Sequence, residues 1–381
     1  MSGVYVAGVG MTPFQRAART DLAGMAREAA LLALRDSGLA AARIGAGYFA
    51  NVLGPQLTGE TTAGQFVLAA LGVNRVPVVN VENACTSGST AFWLAVTGIR
   101  SGEVDAALVI GAEKMSVPGL GLLRGGLEEI ETQLGLVAPA SFAMRARRHM
   151  HEFGTTPEQL AQVSVKNRRH AALNPLAQFR EAVTLEQVLG SPLIADPITR
   201  LQCCPVADGA AALVLVSDAL AASARRAIRV DAAILCSGGY ENPADLARWE
   251  TDRRGCELAY QRAGIGPEDL DVVECHDAFS IAEIMHCEAL GLCAPGEGGR
   301  LVASGATALG GRTPVNVSGG LLSRGHPVAA TGCAQVVEVV QQLRGECGAR
   351  QVDGARVGLA QCMGGDQAAD TKSCTVIVVS R

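Results

Sequence analysis

The sequence is poor in aromatic residues and in charge. Phenylalanine, tryptophan and tyrosine make up 4% of the 381 residues, charged residues make up 18%, and the formal net charge is −5. Nucleic-acid-binding proteins need a basic surface and often use stacking aromatics, so we exclude that class. Apolar runs such as residues 106–110 and 375–379 are much shorter than the roughly 20 residues of a membrane-spanning helix, so we expect no membrane association.

The sequence also lacks the spacings of a disulfide framework or a zinc site. Its twelve cysteines are dispersed, and none forms a Cys-x-x-Cys pair. Glu283 and His286 could share a helix face, but further ligands at suitable spacing are missing. The N-terminus passes directly into an apolar strand-like segment without a basic region or cleavage site. We therefore expect a cytoplasmic protein with reduced thiols and no metal.

What the sequence does have is glycine, 45 residues of it, and short apolar runs that alternate with longer helical patterns. This alternation is typical of an α/β protein. The strand candidates of the first half recur in the same order in the second half: 4–9 with 229–236, 39–48 with 265–273, 78–81 with 314–317, 105–111 with 356–361, and 209–217 with 372–380. Helix candidates follow them, among them 21–36 capped by Thr20 and 252–263 capped by Thr251. We predict two similar βα halves side by side.

The two halves differ by a long insertion. Between its last two strands the second half needs about ten residues, whereas the first half uses nearly a hundred, from Ala112 to Asp208. An excursion of that length predicts an additional substructure. We accordingly divide the chain into an N-terminal half of residues 1–115 with 205–225, an inserted loop domain of 116–204, and a C-terminal half of 226–381.

Basic residues are concentrated in the insertion. Arg145 and Arg148 lie in one basic segment, and Lys166 and Arg169 lie in another. Such segments are either solvated helix faces or sites at which cations meet the phosphates of a bulky cofactor. Both interpretations stay open from the residues alone.

Cys85 and His326 occupy equivalent turns of the two halves. Cys85 lies at a strand-to-helix turn among small residues, where the N-terminus of a helix would lower the pKa of its thiol. His326 lies in the corresponding turn of the second half. If a pseudo-twofold axis relates the halves, these turns meet, and a general base lies beside a thiol nucleophile.

Two further residues follow strand candidates of the second half. His276 comes just after the run 270–273, and a neutral imidazole there could donate a hydrogen bond to a substrate oxygen. Cys362 follows another strand and could act as a second acid or base, next to glycines that allow a backbone amide to approach the site. The competing interpretations are a structural cysteine and an incidental histidine beside a capping Asp277.

These blocks resemble the thiolase family, and in particular its sterol-carrier-protein and bacterial lipid-transfer-type branch. The likeness rests on residues 83–89 around Cys85, on His-Asp-Ala-Phe at 276–279, on Gly-His-Pro at 325–327 and on Cys-Met-Gly at 362–364. Residues 153–170 and 201–210 support it. The blocks are in register over essentially the whole chain.

The resemblance implies a thiolase fold, in which duplicated βαβαβ halves form a five-layer αβαβα sandwich with an inserted loop domain over the site. It implies a homodimer that exchanges acyl groups with coenzyme A, either cleaving a 3-oxoacyl-CoA or running the reverse Claisen condensation. Coenzyme A would be a substrate and product, with no permanently bound cofactor. The pocket for the acyl chain would lie chiefly in residues 117–140.

The same resemblance implies a role for each site residue. Cys85 would be acylated and His326 would activate it. His326 and His276 would form one oxyanion hole, and the amides of Cys85 and Gly364 would form a second. Cys362 would move the α-proton.

One position departs from the family pattern. Many members of this branch have cysteine at the third position of the His-Asp-x-Phe block, where this chain has Ala278. We therefore expect Cys362 to carry the proton-transfer role, unless the chemistry of this chain is altered. The residues are also compatible with a β-ketoacyl-synthase-like enzyme, with an acyltransferase that uses a non-CoA acceptor, and with a non-thiolytic lipid-transfer or retro-aldolase subunit that acts with a small OB-fold partner.

Overall fold

The computed structural model describes residues 3–117, 129–222, 224, 226–239, 245–367 and 369–381. Part of the segment expected to line the acyl pocket, residues 118–128, lies outside the described residues. The strands are β1 Val4–Met11, β2 Ala46–Ala50, β3 Val78–Val81, β4 Ala106–Lys114, β5 Leu193–Ala195, β6 Ile198–Thr199, β7 Asp208–Ser217, β8 Ile228–Cys236, β9 Val272–Glu274, β10 Val357–Gln367 and β11 Asp370–Ser380.

The helices have the following bounds: α1 Leu22–Ser37, α2 Gly54–Thr58, α3 Ala63–Ala70, α4 Ser87–Arg100, α5 Ile130–Gln133, α6 Ala138–Phe153, α7 Pro157–Ala172, α8 Leu185–Leu189, α9 Asp218–Ala221, α10 Glu250–Ala263, α11 Ser280–Ala289, α12 Gly298–Ala303, α13 Gly320–Arg324 and α14 Thr331–Arg344. Within the described residues, none of them is long and apolar enough to cross a membrane. The predicted caps of two helices are wrong. Asp21, not Thr20, caps α1, because its carboxylate accepts from the Gly24 amide, and α10 starts after Trp249 rather than after Thr251.

The sheet repeats the predicted order of strands. Its order is β3-β2-β4-β7-β1-β8-β11-β10-β9, so the first strands of the two halves, β1 and β8, are neighbours. Outward from this junction, the second half continues through its fifth, fourth and second strands, as the first half does. A pseudo-twofold relation between the halves follows from this order.

Three groups of buried residues define the layers. One group joins α4 and α14 to strands of both halves. A second packs α1 and α3 on the other side of the N-terminal strands, and a third packs α10 and α11 against the C-terminal strands. Helices therefore lie between the two half-sheets and on both outer sides, and the predicted five-layer αβαβα thiolase fold is confirmed.

One predicted strand is nearly absent. Residues 314–317 form only an isolated parallel bridge between Val315 and Val273. Asn316 has a positive φ of 57°, which interrupts an extended strand, and its side-chain oxygen accepts from the Cys275 amide. Asn316 therefore holds the backbone at Cys275 instead of continuing a β-strand.

The insertion between β4 and β7 contains α5 to α8 and the β5–β6 hairpin. Its helices α6 and α7 pack on α11 and α13 of the C-terminal half, partly through Phe142, Phe279 and Leu321. The insertion thereby covers the turns that carry His276 and His326. The division at residues 115/116, 204/205 and 225/226 stays a prediction.

Candidate active site

Cys85 lies on a sharp turn between β3 and α4. The preceding Ala84 has a φ of 47°, a left-handed conformation that is uncommon for alanine. The Ser87 hydroxyl accepts from the Asn83 amide and donates to the Ala84 carbonyl, so the turn is stabilised by its own side chains. This turn places Cys85 at the wall of a large cavity.

His326 has a defined tautomer. Its Nδ1 lies 2.7 Å from the Thr331 hydroxyl oxygen. That hydroxyl donates its single proton to the Pro327 carbonyl, 3.0 Å away. Nδ1 of His326 must therefore be the donor, and Nε2 carries the free lone pair that a base needs.

The three reactive side chains converge. One donor atom of each of Cys85, His276 and His326 lies within 4.8 Å of the other two, and the two imidazole rings are 5.1 Å apart at their centroids. Both ring nitrogens of His276 are buried without a hydrogen-bond partner in the described part of the chain. These nitrogens are available to a substrate oxygen. The same atoms could ligate a metal ion, so the expected absence of metal stays a prediction.

The free site is electrically neutral at Cys85 and His326. Burial raises the pKa of the Cys85 thiol to about 12, although backbone amides of Gly365 and Cys85 oppose the rise. Burial lowers the pKa of His326 to about 3 and that of His276 well below its usual range. The expected lowering of the Cys85 pKa is therefore wrong, because desolvation outweighs the amides at the helix N-terminus.

His276 is held from behind by a buried network. Its amide donates to the Gln361 side chain, 3.0 Å away, and its carbonyl accepts from Nε2 of His286 at 3.1 Å. Asp252 contacts both of these groups. The backbone of His276 is thus fixed while its ring stays unpartnered among the described residues.

Arg145 belongs to this support and not to an open phosphate site. It is fully buried, lies 4.8 Å above the Trp249 ring and pairs with Asp366. Trp249 in turn stacks on the His286 ring at 4.6 Å. The expected cofactor-binding role of Arg145 is therefore not supported.

Lys166 is likewise a buried structural residue. Its ammonium lies 2.9 Å from Glu283 and donates to the Val315 carbonyl, and its side chain is 4% exposed. Arg169 is exposed beside a separate small pocket, and Arg148 is exposed and paired with Glu152. None of these three is among the described residues that line the cavity, and their expected cofactor-binding role stays a prediction.

Asp277 joins the two histidine turns. Its carboxylate accepts from the Leu321 amide at 2.6 Å, at the start of α13, and from the Asn167 side chain at 2.7 Å. It therefore caps the short helix before His326 rather than its own helix α11. Asp277, the residue after His276, therefore positions the turn that carries His326.

Cys362 and Gly364 lie against the turn that carries Cys85. The Cys362 thiol donates to the Cys85 carbonyl at 3.2 Å and is 1% exposed. The Gly365 amide lowers the pKa of the Cys85 thiol, and the expected oxyanion-hole role of the Gly364 amide stays a prediction. A side chain on Gly364 would collide with Ser373 and with the Cys85 turn, so glycine is required there. The α-proton role of Cys362 stays a prediction.

The cavity itself has a volume of about 2340 Å³, larger than a drug-sized pocket needs. Three arginines that the sequence patterns did not single out, Arg16, Arg168 and Arg200, are among its described lining residues. Arg168 stands over the Phe179 ring at 4.1 Å. Arg168 lies in the basic segment of Lys166 and Arg169. The sequence therefore showed that this part of α7 is basic, but it did not show which of its side chains faces the cavity.

Comparison with known proteins decides the family. The family model for the thiolase N-terminal domain matches residues 4–219, and the model for the thiolase C-terminal domain-like region matches residues 240–378. The chain belongs to the thiolase family. The expected resemblance is thereby confirmed.

Several thiolase relatives match nearly the whole chain. Acetyl-CoA acetyltransferase of Methanothermobacter thermautotrophicus is 40% identical over 96% of this chain and 97% of that protein. Benzoylsuccinyl-CoA thiolase subunit BbsB of Thauera aromatica is 39% identical over 95% and 94%. Sterol carrier protein 2 of Bos taurus is 36% identical over 95% of this chain and 70% of that protein.

Solved structures agree on the thiolase fold. The Ltp2-ChsH2(DUF35) aldolase superposes with a TM-score of 0.85 at 26% identity and covers all of this chain and 98% of that one. Human mitochondrial 3-ketoacyl-CoA thiolase in complex with CoA gives a TM-score of 0.73 at 18% identity, over 100% and 98%. The second likeness concerns the fold alone.

Glu113 is a further residue of this thiolase site, and no sequence motif pointed to it. Its buried carboxylate accepts from the amides of Val52, Leu53 and Ala329 and from the Asn51 side chain. It therefore ties the end of β4 to the turn that follows His326. Burial raises its pKa to about 7.

Proposed function

We propose that this chain is a thiolase-type acyltransferase that forms an acyl-enzyme on Cys85. It would cleave 3-oxoacyl-CoA with coenzyme A or run the reverse Claisen condensation. The observation that carries the proposal is the convergence of Cys85, His276 and His326 within 4.8 Å at the wall of one large cavity. A thiol, a base with a free lone pair and an unpartnered imidazole are the groups that acyl transfer needs.

The first step follows from the tautomer of His326. Its Nε2 takes the Cys85 proton as the sulphur attacks the substrate carbonyl. Because both groups are neutral in the free site, this transfer would accompany the attack rather than precede it. The amides of Gly365 and Cys85 would then stabilise the oxyanion on the attacked carbon.

His276 suits the enolate that carbon–carbon cleavage produces. Its lowered pKa keeps the ring neutral, so one nitrogen donates a hydrogen bond without carrying a charge. The thioester oxygen of the enolate would accept from this nitrogen. Preorganised donors of this kind contribute about 3 to 4 kcal/mol each to catalysis.

The coenzyme A phosphates would meet the arginines of the cavity. Arg168 is held over Phe179, while Arg16 and Arg200 are exposed at the same cavity. Guanidinium groups bind phosphates in a bidentate geometry. Arg168→Ala and Arg200→Ala should raise the Kd for coenzyme A by more than fivefold, whereas Arg148→Ala, outside the described cavity lining, should leave it unchanged in the same titration.

The decisive experiment is to look for the acyl-enzyme. The protein is incubated with acetyl-CoA and with longer acyl-CoAs, and the modified peptide is mapped by mass spectrometry. We expect the adduct on Cys85 and its loss in Cys85→Ala, with thiolysis of a 3-oxoacyl-CoA series measured in parallel. Absence of an adduct with every acyl-CoA, or an adduct that persists in Cys85→Ala, would refute the proposal.

A second candidate function is suggested by one comparison. The aldolase whose structure matches with a TM-score of 0.85 is a complex with a DUF35 protein. We therefore keep a retro-aldolase subunit with a small OB-fold partner as the alternative. Cleavage of an aldol substrate by Cys85→Ala together with such a partner, without acylation of the wild type, would favour it.

We also propose a homodimer through the edge of the sheet. β3 is an end strand, and Val79 on it is 41% exposed, while Phe66 on the neighbouring α3 is 64% exposed. An unpaired edge with apolar side chains is suited to pairing with a second copy. Val79→Lys should reduce the mass in light scattering from twice the chain mass to the chain mass; an unchanged mass would contradict this interface.

A further inference from the structure

The site brings together three side chains of the kinds that bind transition metals. The Cys85 sulphur, one ring nitrogen of His276 and one ring nitrogen of His326 lie within 4.8 Å of one another. Thiolate and imidazole are the ligands that zinc prefers in proteins, whereas magnesium and calcium take oxygen ligands. The donor set therefore suits a zinc-like ion.

Both histidines have a nitrogen that is free to bind an ion. Nδ1 of His326 donates to the Thr331 hydroxyl at 2.7 Å, which leaves Nε2 available. Histidines that bind zinc commonly donate their other ring proton in this way. His276 is 4% exposed, and neither of its ring nitrogens has a hydrogen-bond partner in the described part of the chain. A buried imidazole in that state gains a bond when an ion enters.

The separations suit a tetrahedral ion after a small movement. With bonds of about 2.0 Å to nitrogen and about 2.3 Å to sulphur, the ligand atoms of a tetrahedron lie about 3.3 to 3.6 Å apart. The three atoms of this site therefore need to approach by no more than about 1.5 Å, which rotation of the Cys85 side chain can supply. All three residues line the cavity, so the fourth position faces it and takes a water molecule, as in other open zinc sites.

The charges around the site favour a cation. Glu113 and Asp366 are close enough to the Cys85 sulphur for their charges to raise its pKa. Arg324 lies near one of the imidazoles, but buried Glu274 pairs with it. The thiolate that forms when a metal binds adds a further negative charge. These negative charges offset the charge of a divalent ion.

We propose that the free site binds one Zn²⁺ ion through Cys85, His276 and His326, and that this ion reversibly blocks the chemistry of the site. The S–H bond of Cys85 breaks, a bond between sulphur and zinc forms, and one proton goes to the solvent. The sulphur and the Nε2 lone pair of His326 are then both bound, so neither a nucleophile nor a base remains. Metal binding departs from the expected absence of metal, and it depends on the geometry rather than on the proposed thiolase activity.

Cobalt is the spectroscopic probe of this site, because Co²⁺ replaces zinc and its absorption reports the ligands and their geometry. The protein is freed of metal with a chelator and titrated with Co²⁺ alone. We expect one ion per chain, the intense visible bands of a tetrahedral centre and a thiolate-to-cobalt charge-transfer band in the near ultraviolet. Zn²⁺ should displace the cobalt and remove these bands, and calorimetry in two buffers should count one released proton per ion.

Variants identify the ligands. Cys85→Ser should abolish the charge-transfer band and raise the Kd for Zn²⁺ by at least about 100-fold, more than loss of an outer-shell partner usually costs. His276→Ala should raise the Kd to a similar extent. Cys203→Ala is the matched control, because this cavity thiol is directed to the Thr199 carbonyl at 3.5 Å and its removal should leave the Kd unchanged. Thermal unfolding with a chelator present checks that each variant is folded.

X-ray absorption at the zinc edge tests the same site without a mutation. The wild type loaded with one equivalent of Zn²⁺ should show one sulphur at about 2.3 Å and nitrogen or oxygen neighbours at about 2.0 Å. A spectrum with no sulphur, or with two or more, overturns the assignment. So does a Kd for Zn²⁺ that is unchanged in Cys85→Ser, or a cobalt spectrum without the tetrahedral bands.

The block is tested separately from the proposed function. Acylation of Cys85 by acetyl-CoA, measured with a chelator present, should stop when Zn²⁺ saturates the protein and resume when the chelator is restored. Acylation at an undiminished rate with zinc bound overturns the proposal. A wild type that binds zinc as described but forms no acyl-enzyme in the chelator supports the metal site and refutes the thiolase function alone.

Discussion

Replacement of Thr331 by valine tests how the base is prepared. Valine keeps the volume of threonine but removes the oxygen that accepts from Nδ1 of His326 at 2.7 Å. It also removes the hydroxyl proton that is donated to the Pro327 carbonyl. Because that proton is used there, the hydrogen bond between His326 and Thr331 must run from Nδ1 to the hydroxyl oxygen. Without that acceptor, the ring loses its preference for the tautomer with a free Nε2.

The size of the effect follows from the burial of this bond. Thr331 is fully buried and His326 is 6% exposed, so water cannot replace the lost acceptor readily. A buried donor left without a partner costs about 1 to 3 kcal/mol, which corresponds to roughly 5- to 150-fold in rate. We expect this loss in the rate of Cys85 acylation by acetyl-CoA.

The assay is the rate of acyl-enzyme formation, followed by mass spectrometry under single-turnover conditions. Thr331→Ser retains the hydroxyl and should acylate within threefold of the wild type, and thermal unfolding of both variants checks that the fold is intact. A folded Thr331→Val that acylates as fast as the wild type would refute the assigned tautomer.

Three further predictions concern protonation and packing. Because the Cys85 thiol has a pKa of about 12, its alkylation by iodoacetamide in the free enzyme should accelerate about tenfold per pH unit from pH 7 to 10; a plateau below pH 8 would indicate a stabilised thiolate. Lys166→Met should lower the free energy of unfolding by about 3 to 5 kcal/mol, because buried Glu283 loses its ion pair, and should leave the Kd for coenzyme A unchanged in denaturant and binding titrations. The pKa of Glu113 is raised from 4.5 to about 7, so the folded state holds its proton more tightly and stability declines by up to about 3 kcal/mol as pH rises through that window. Glu113→Gln should make this decline shallower in pH-dependent unfolding, and an unchanged slope would contradict the assignment.

Much of the fold could be predicted from local patterns. The repeated order of apolar runs implied two equivalent halves, and equivalence alone predicts that the Cys85 and His326 turns meet. The pattern failed at residues 314–317, where Asn316 adopts a positive φ to serve the neighbouring turn. A hydrophobic run indicates a strand, but it does not show that one of its residues must adopt another conformation to make a hydrogen bond elsewhere in the fold.

The basic residues show a different limit. Lys166, Arg168 and Arg169 share one helix, and each has a different environment: an ion pair with Glu283, the cavity, and solvent. Composition identified the segment as basic. Which side chain reaches the cavity depends on the rotation of α7 about its axis, and the packing of α7 on α11 and α13 decides that.

The sequence by itself determined the duplicated α/β order, the family, and the identity of the thiol and the two histidines, because these depend on periodicity and on short motifs. Tertiary structure decided the protonation of the site. The N-terminus of a helix is a local feature that favours a Cys85 thiolate, but desolvation depends on everything packed around the turn, and here it keeps the thiol neutral. It also brought Cys203 and Cys204 to the cavity that Cys85 lines, through a pairing between the insertion and the C-terminal half.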